Sequence, residues 1–248
     1  MAIQQNNPDI DALHQSIATR LRALGDVSPY ASDADEPDTR YLAYGVRAPQ
    51  MKRFVAGYKA DFRDLATEQK IELARRLINS GYGEQKTVAL ALLEQASSYF
   101  SPQHFDLLEQ LLRGLHGWSK IDAYTGSFLR FVLEAHEEEF IDLLRSWTTD
   151  EDLWLRRASV VIFTRKVAKS GLHKDTALAN CDVLVKDPER LVQTGVGWCL
   201  RDLMRWHRED VLPYVVDLRT KGVSSTITLY ALRDIKGALR EEILKKHT

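Results

Sequence analysis

The stretch Leu153-Trp154-Leu155-Arg156-Arg157-Ala158-Ser159-Val160-Val161-Ile162 decides the fold. Leu153, Leu155, Ala158 and Ile162 keep helical spacing, so one face of a helix is apolar. Ala158 is also one of a series. Ala89, Ala123, Ala158, Gly195 and Ala231 lie 34, 35, 37 and 36 residues apart, each inside a comparable helical pattern. Between successive marks runs another helical pattern, at 105–112, 137–147, 176–185 and 209–218. A small residue at one fixed place in each repeat lets neighbouring helices approach closely.

One helix pair per repeat predicts an all-α fold, an α-solenoid of HEAT-like repeats with a concave binding face. Breakers punctuate it at Gly25, Pro29, Pro37, Pro49, Gly81, Gly83, Pro102, Gly114, Gly117, Gly171, Pro188 and Gly222. Pro49, after Ala48, suits the first turn of a helix, and Asp187-Pro188-Glu189 opens another in the same way. Strand signals are scarce; the nearest is 224–229. The acidic, proline-bearing stretch 26–39 reads as a loop. We therefore expect a single domain over 1–248, with an N-terminal helix and acidic loop in 1–40 and the repeat array in 41–248.

At 248 residues and 44% hydrophobic content the chain can bury a large core. Its net charge is −1, unevenly spread. Residues 1–38 hold two basic residues (Arg20, Arg22) and seven acidic ones, a net of −5, which leaves +4 for the remainder. A basic body behind an acidic leader is compatible with a polyanionic partner without requiring one. Cys181 and Cys199 have no metal-ligand or redox spacing and read as small core residues. No signal peptide and no membrane-length apolar run is evident, so a cytoplasmic monomer with no membrane association is expected. There is no Gly-x-Ser-x-Gly elbow, phosphate-binding glycine loop or His-Glu-x-x-His, and the seven histidines are dispersed. No metal or cofactor is expected.

The repeat register locates candidate chemistry. Asp122 and Arg157 each stand immediately before a marked small residue, at equivalent places in adjacent repeats. Trp118 lies four residues before Asp122, on the same helix face. Trp198 follows Gly195 by three residues, with Arg201 and Arg205 beyond it. Two indoles, a carboxylate and several guanidinium groups suit a charged, partly apolar ligand such as a nucleic-acid backbone. Each residue also has a plainer use. Trp118 and Trp198 fit core anchors. Asp122 fits a surface acid or an ion-pair partner of Arg157. Arg157 fits a charged face with Arg156, Arg165 and Lys169.

The sequence resembles the AlkD-like family of DNA alkylation repair glycosylases, which are built from HEAT-like repeats. The resemblance runs from about Tyr41 to the C-terminus. It rests on Tyr44-Gly45-Val46-Arg47-Ala48-Pro49, Trp118-Ser119-Lys120-Ile121-Asp122, Asp152-Leu153-Trp154-Leu155-Arg156-Arg157-Ala158 and Gly195-Val196-Gly197-Trp198-Cys199-Leu200-Arg201. It implies that Trp118, Asp122 and Trp198 form the catalytic site and that Arg157 holds a phosphate of duplex DNA. Arg201 and Arg205 join Arg157 as expected DNA contacts. It also implies an aromatic contact from the N-terminal helices, for which Tyr30 and Tyr41 are candidates. The implied activity is monofunctional excision of cationic alkylated purines, bulky adducts among them, leaving an abasic site without the base entering a snug pocket. The competing reading is a non-catalytic helical-repeat module that binds DNA structures or a protein. The tryptophan–aspartate pair favours the enzyme, and the near-neutral charge favours the module.

Overall fold

The computed structural model describes residues 9–26, 30–31 and 41–246. They are all-α apart from a two-residue antiparallel pair, β1 (Tyr30–Ala31) and β2 (Tyr41–Leu42). Most of the acidic stretch 26–39 lies outside the described residues, as do the side chains of Tyr30 and Tyr41.

The chain divides into two compact units, Met1–Lys120 and Ile121–Thr248. The first unit contains α1 (Ile10–Leu24), α2 (Ala48–Gly57), α3 (Lys59–Asp64), α4 (Thr67–Asn79), α5 (Gly83–Gln95) and α6 (Phe105–Arg113). Helix α7 (Trp118–Tyr124) carries the boundary. The second unit continues with α8 (Arg130–Ala135), α9 (Glu137–Trp147), α10 (Leu153–Val161), α11 (Arg165–Ser170), α12 (Lys174–Leu184), α13 (Arg190–Trp206), α14 (Arg208–Thr220), α15 (Ser225–Ala231) and α16 (Gly237–Leu244).

The small-residue marks fall on α5, α7, α10, α13 and α15, with α6, α9, α12 and α14 between them, as the periodicity predicts. Of residues 224–229, the nearest thing to a strand in the sequence, all but the capping Ser224 are helical. Ser224 caps α15 by accepting from the Thr226 N–H, and Ile227, Thr228 and Ala231 turn inward. That is a helical spacing which short β-branched composition had masked. In the second unit Phe140 and Trp147 of α9 are buried edge to face, with ring centroids 5.9 Å apart. Burial of each such side chain contributes on the order of 2–3 kcal/mol.

Helix α13 sits between α10 and α15, and its two glycines face the two neighbours. A Cβ on Gly195 would lie 3.3 Å from both Arg157 Cγ and Val161 Cγ2 on α10. On Gly197 it would lie 2.7 Å from Tyr230 Cβ and 2.8 Å from the Ile227 carbonyl oxygen on α15. Two residues along a helix turn through about 200°, so Gly-Val-Gly opens opposite flanks to close approach. Gly197→Ala is expected to destabilise. The gain in helix propensity, about 1 kcal/mol, is outweighed by a clash with backbone. Thermal denaturation should show a midpoint lowered by several degrees, and an unchanged or raised midpoint would contradict the packing.

Candidate active site

Helix α7 begins after Gly117, whose φ of +90° makes the turn that points the chain into the helix. Trp118, in its first turn, is 42% exposed. Asp122, one turn on, is 4% exposed. The residues that follow, Thr125–Leu129, form a π-helical turn that leads directly into α8. Such a turn pairs each N–H with the carbonyl five residues back, so a carbonyl just before it loses its α-helical donor. The Asp122 carbonyl accepts from two side chains: the Thr125 hydroxyl donates to it at 3.3 Å and the Arg165 guanidinium at 3.0 Å.

The Asp122 carboxylate is held by Arg157 from α10. Nε donates to Oδ1 and a terminal nitrogen to Oδ2, both at 2.9 Å. The other terminal nitrogen donates to the Leu191 carbonyl and the Thr194 hydroxyl of α13. This bidentate fork fixes the carboxylate in a plane, which a lysine could not do. Arg157, expected to hold a phosphate, turns its guanidinium inward in this structure. The residue is 3% exposed, and its guanidinium is committed to Asp122 and α13. The ion-pair use that the register allowed is the one the structure adopts, in the buried form.

Trp198 on α13 is half-buried, and the Arg165 guanidinium lies over its ring, 4.8 Å from the centroid. Neither Trp118 nor Trp198 is a core anchor; Trp147 and Trp154 fill that role at 1% and 6% exposure. Arg165 was counted in the sequence only as one of a run of basic residues. It is the side chain that ties the site together. Its φ is +54°, in the left-handed region that a bulky residue occupies at a cost of roughly 1–3 kcal/mol. Its N–H donates to Asp202 Oδ2 at 3.0 Å, which helps hold that conformation. Gly126, one turn beyond Asp122, makes room for it, since a Cβ there would lie 2.1 Å from the guanidinium.

Arg201 and Arg205 stand one turn apart on α13, each partly neutralised. Arg201 pairs with Asp202 at 3.0 Å and lies over Tyr230, 5.4 Å from the ring centroid. Arg205 pairs with Asp234 at 2.6 Å and Asp202 at 3.3 Å. The hydrogen bond from Arg205 holds the Asp234 carboxyl below its ordinary range. Both cations remain accessible, yet part of their charge is balanced within the protein.

In the first unit the Tyr44-Gly45-Val46 segment wraps a carboxylate that sequence reading missed. Glu84 Oε1 accepts from the N–H groups of Tyr44, Gly45 and Val46 at 2.9–3.1 Å. Gly45 has φ +78°, the conformation this turn requires. Tyr44 stacks on Tyr82 at 4.1 Å and accepts from Gln85 at 2.8 Å. This motif is therefore architectural. It walls a cavity of about 750 Å³, lined also by Met51, Leu90 and Lys120. Lys120 donates to the Thr87 hydroxyl. Burial and, secondarily, the nearby Lys120 push the Lys86 ammonium down to about 8. At 1% exposure Lys86 is nevertheless closed to an incoming aldehyde.

Among the described residues no three His, Cys, Asp or Glu side chains come together to hold a metal ion. Cys181 and Cys199 are buried and unbridged, and their mutual hydrogen bond, with burial, pushes the Cys199 thiol well up. No helix among the described residues is long and apolar enough to cross a membrane.

No functionally curated protein matches the chain significantly. A solved structure described as a predicted DNA alkylation repair enzyme from Enterococcus faecalis is similar in fold, with a TM-score of 0.70 at 16% identity. The match covers 96% of this chain and all of that one. The sequence profile of the DNA alkylation repair enzymes matches residues 17–235. With that match spanning most of its length, the chain belongs to the DNA alkylation repair enzyme family.

Proposed function

We propose that the protein is a monofunctional DNA glycosylase that hydrolyses the N-glycosidic bond of cationic alkylated purines in duplex DNA. The observation that carries this reading is the fixed Asp122 carboxylate, gripped at both oxygens by Arg157 and set one helical turn from the half-exposed Trp118 ring. A purine alkylated on a ring nitrogen is already positively charged and leaves without protonation. As the C1′–N bond breaks, its electrons return to the purine, which departs neutral, and positive charge develops on the sugar. Asp122 offers a counter-charge oriented in advance, so little reorganisation is needed when that cation forms. The indole faces of Trp118 and Trp198 add cation–π stabilisation. Water adds at C1′ and gives up its proton to Asp122 or solvent, leaving an abasic site. Arg157 acts as a positioning residue, and Arg201 and Arg205 bind phosphates. The enzyme works as a cytoplasmic monomer.

One observation favours a second reading, a DNA-binding module without catalysis. Asp122 is only 4% exposed and both its oxygens are paired. Incubation with randomly methylated duplex DNA separates the two. Methylated purines should be released in a burst that chelators do not reduce, and borohydride should trap no covalent complex. A protein that binds this DNA and releases no base is the module. Loss of release in EDTA, restored by a divalent ion, would overturn the metal-free mechanism.

A further inference from the structure

We propose that α11 and the C-terminal end of α13 form a second DNA-contacting element, in which Trp206 stacks against a nucleotide and Lys169 binds the adjoining phosphate. The inference rests on the proposed function for the identity of the partner as DNA.

Trp206 ends α13 and is 53% exposed, an indole largely in water. Its companion is Lys169, whose ammonium lies 5.0 Å from the ring centroid. One turn earlier on α11, Arg165 stands over Trp198 in the same way. Two cation–aromatic pairs thus come in step, residues four apart on α11 meeting residues eight apart on α13.

The alignment is built in, because α11 is fastened to α13 at both ends. At its start the Arg165 N–H bonds to Asp202. In its last turn the Ala168 carbonyl lies 3.0 Å from His207 Nε2, and since a carbonyl only accepts, that nitrogen carries the proton. Gly171, with φ +70°, then brings the chain against the His207 ring, where a Cβ would lie 2.5 Å away. A six-residue helix held at both ends presents its side chains at fixed places.

Charge argues for the occupant. Helix α11 carries Arg165, Lys166 and Lys169 and no acidic residue. Nearby carboxylates are engaged: Asp202 with Arg165, Arg201 and Arg205, and Asp210 with Lys174. An exposed indole beside unneutralised cations matches a nucleotide, which offers a flat base or sugar face next to a phosphate. An apolar protein helix would leave those cations facing nothing.

The test is fluorescence anisotropy of a short fluorescein-labelled undamaged duplex across a salt series, alongside single-turnover base release at saturating protein. Trp206→Ala should weaken binding about tenfold, and Trp206→Phe should restore most of it. Lys169→Gln should reduce the slope of log K against log salt by about one. If the wild type excises and Trp206→Ala binds normally, this element is overturned while the glycosylase reading stands. If Trp206→Ala weakens binding but the wild type releases no base, the element stands and the glycosylase reading falls. A wild type that does not bind DNA overturns the element. So does a Trp206→Ala variant that loses only concentration-dependent self-association in sedimentation.

Discussion

Replacing Asp122 with Asn should slow single-turnover release of a methylated purine by roughly ten- to a thousandfold, the scale of losing one electrostatic partner of the transition state. Asn keeps the size of the side chain and one acceptor but removes the negative charge. The structure adds a second consequence. Arg157 would keep one side-chain acceptor at position 122 where it had two, so the variant should also lose about 1–3 kcal/mol of stability. The assay therefore belongs well below the melting midpoint, with folded protein in excess over DNA. Affinity for intact duplex should hold or tighten, because a carboxylate near phosphates repels them. If Asp122 serves only as a structural ion pair, the melting midpoint falls while the folded protein excises at the wild-type rate. That outcome removes Asp122 from the chemistry.

Arg157→Met should have the largest effect on stability. It removes the bidentate partner of a buried carboxylate, at a cost of about 3–5 kcal/mol, or roughly 10 °C in the melting midpoint of a chain this size. Its effect on excision should depend on pH. Loss of the Arg157 fork removes stabilisation from the charged form of the buried Asp122 carboxylate. Excision requires the ionised form, so activity should fall steeply at low pH and recover in part as pH rises. The DNA affinity of the folded variant should change little, because Arg157 faces inward. A phosphate clamp would give the reverse pattern, with weakened binding to damaged and undamaged duplex and no rescue by pH. Activity that is flat across pH and equal to wild type would show that Arg157 does not position Asp122.

The helices were legible because their apolar spacing and small-residue register are local properties of the chain. Ala158 and Gly195 mark equivalent places, and the close approach of Arg157 to Gly195 is the packing that makes a small residue necessary there. The same register brought Asp122 and Arg157 into one frame. It did not give the direction of the guanidinium, because spacing places a side chain on a face without saying whether that face is wet. In the structure Arg157 is buried and turned toward Asp122. Arg165 was hidden for a different reason. Its importance comes from a left-handed backbone and from three partners 33 to 43 residues away, Asp122, Trp198 and Asp202. None of these leaves a mark in periodicity. Glu84 was overlooked because a lone acid in a helical pattern reads as surface, whereas here three backbone N–H groups converge on it.

The π-helical turn at Thr125–Leu129 amounts to one extra residue spliced into an otherwise ordinary helix. A relative that lacks it should display a single-position gap there when aligned with this chain. Removing the extra residue restores an unbroken α-helix there. It also swings everything downstream by about 100° about the helix axis, the angle that one residue subtends. An arginine at the position of Arg165 would then lose its acceptor at the Asp122 carbonyl. Extra residue, glycine at 126 and arginine at 165 should therefore be inherited or lost together. Chains missing all three would share the fold but lack the Arg165 bond to the Asp122 carbonyl.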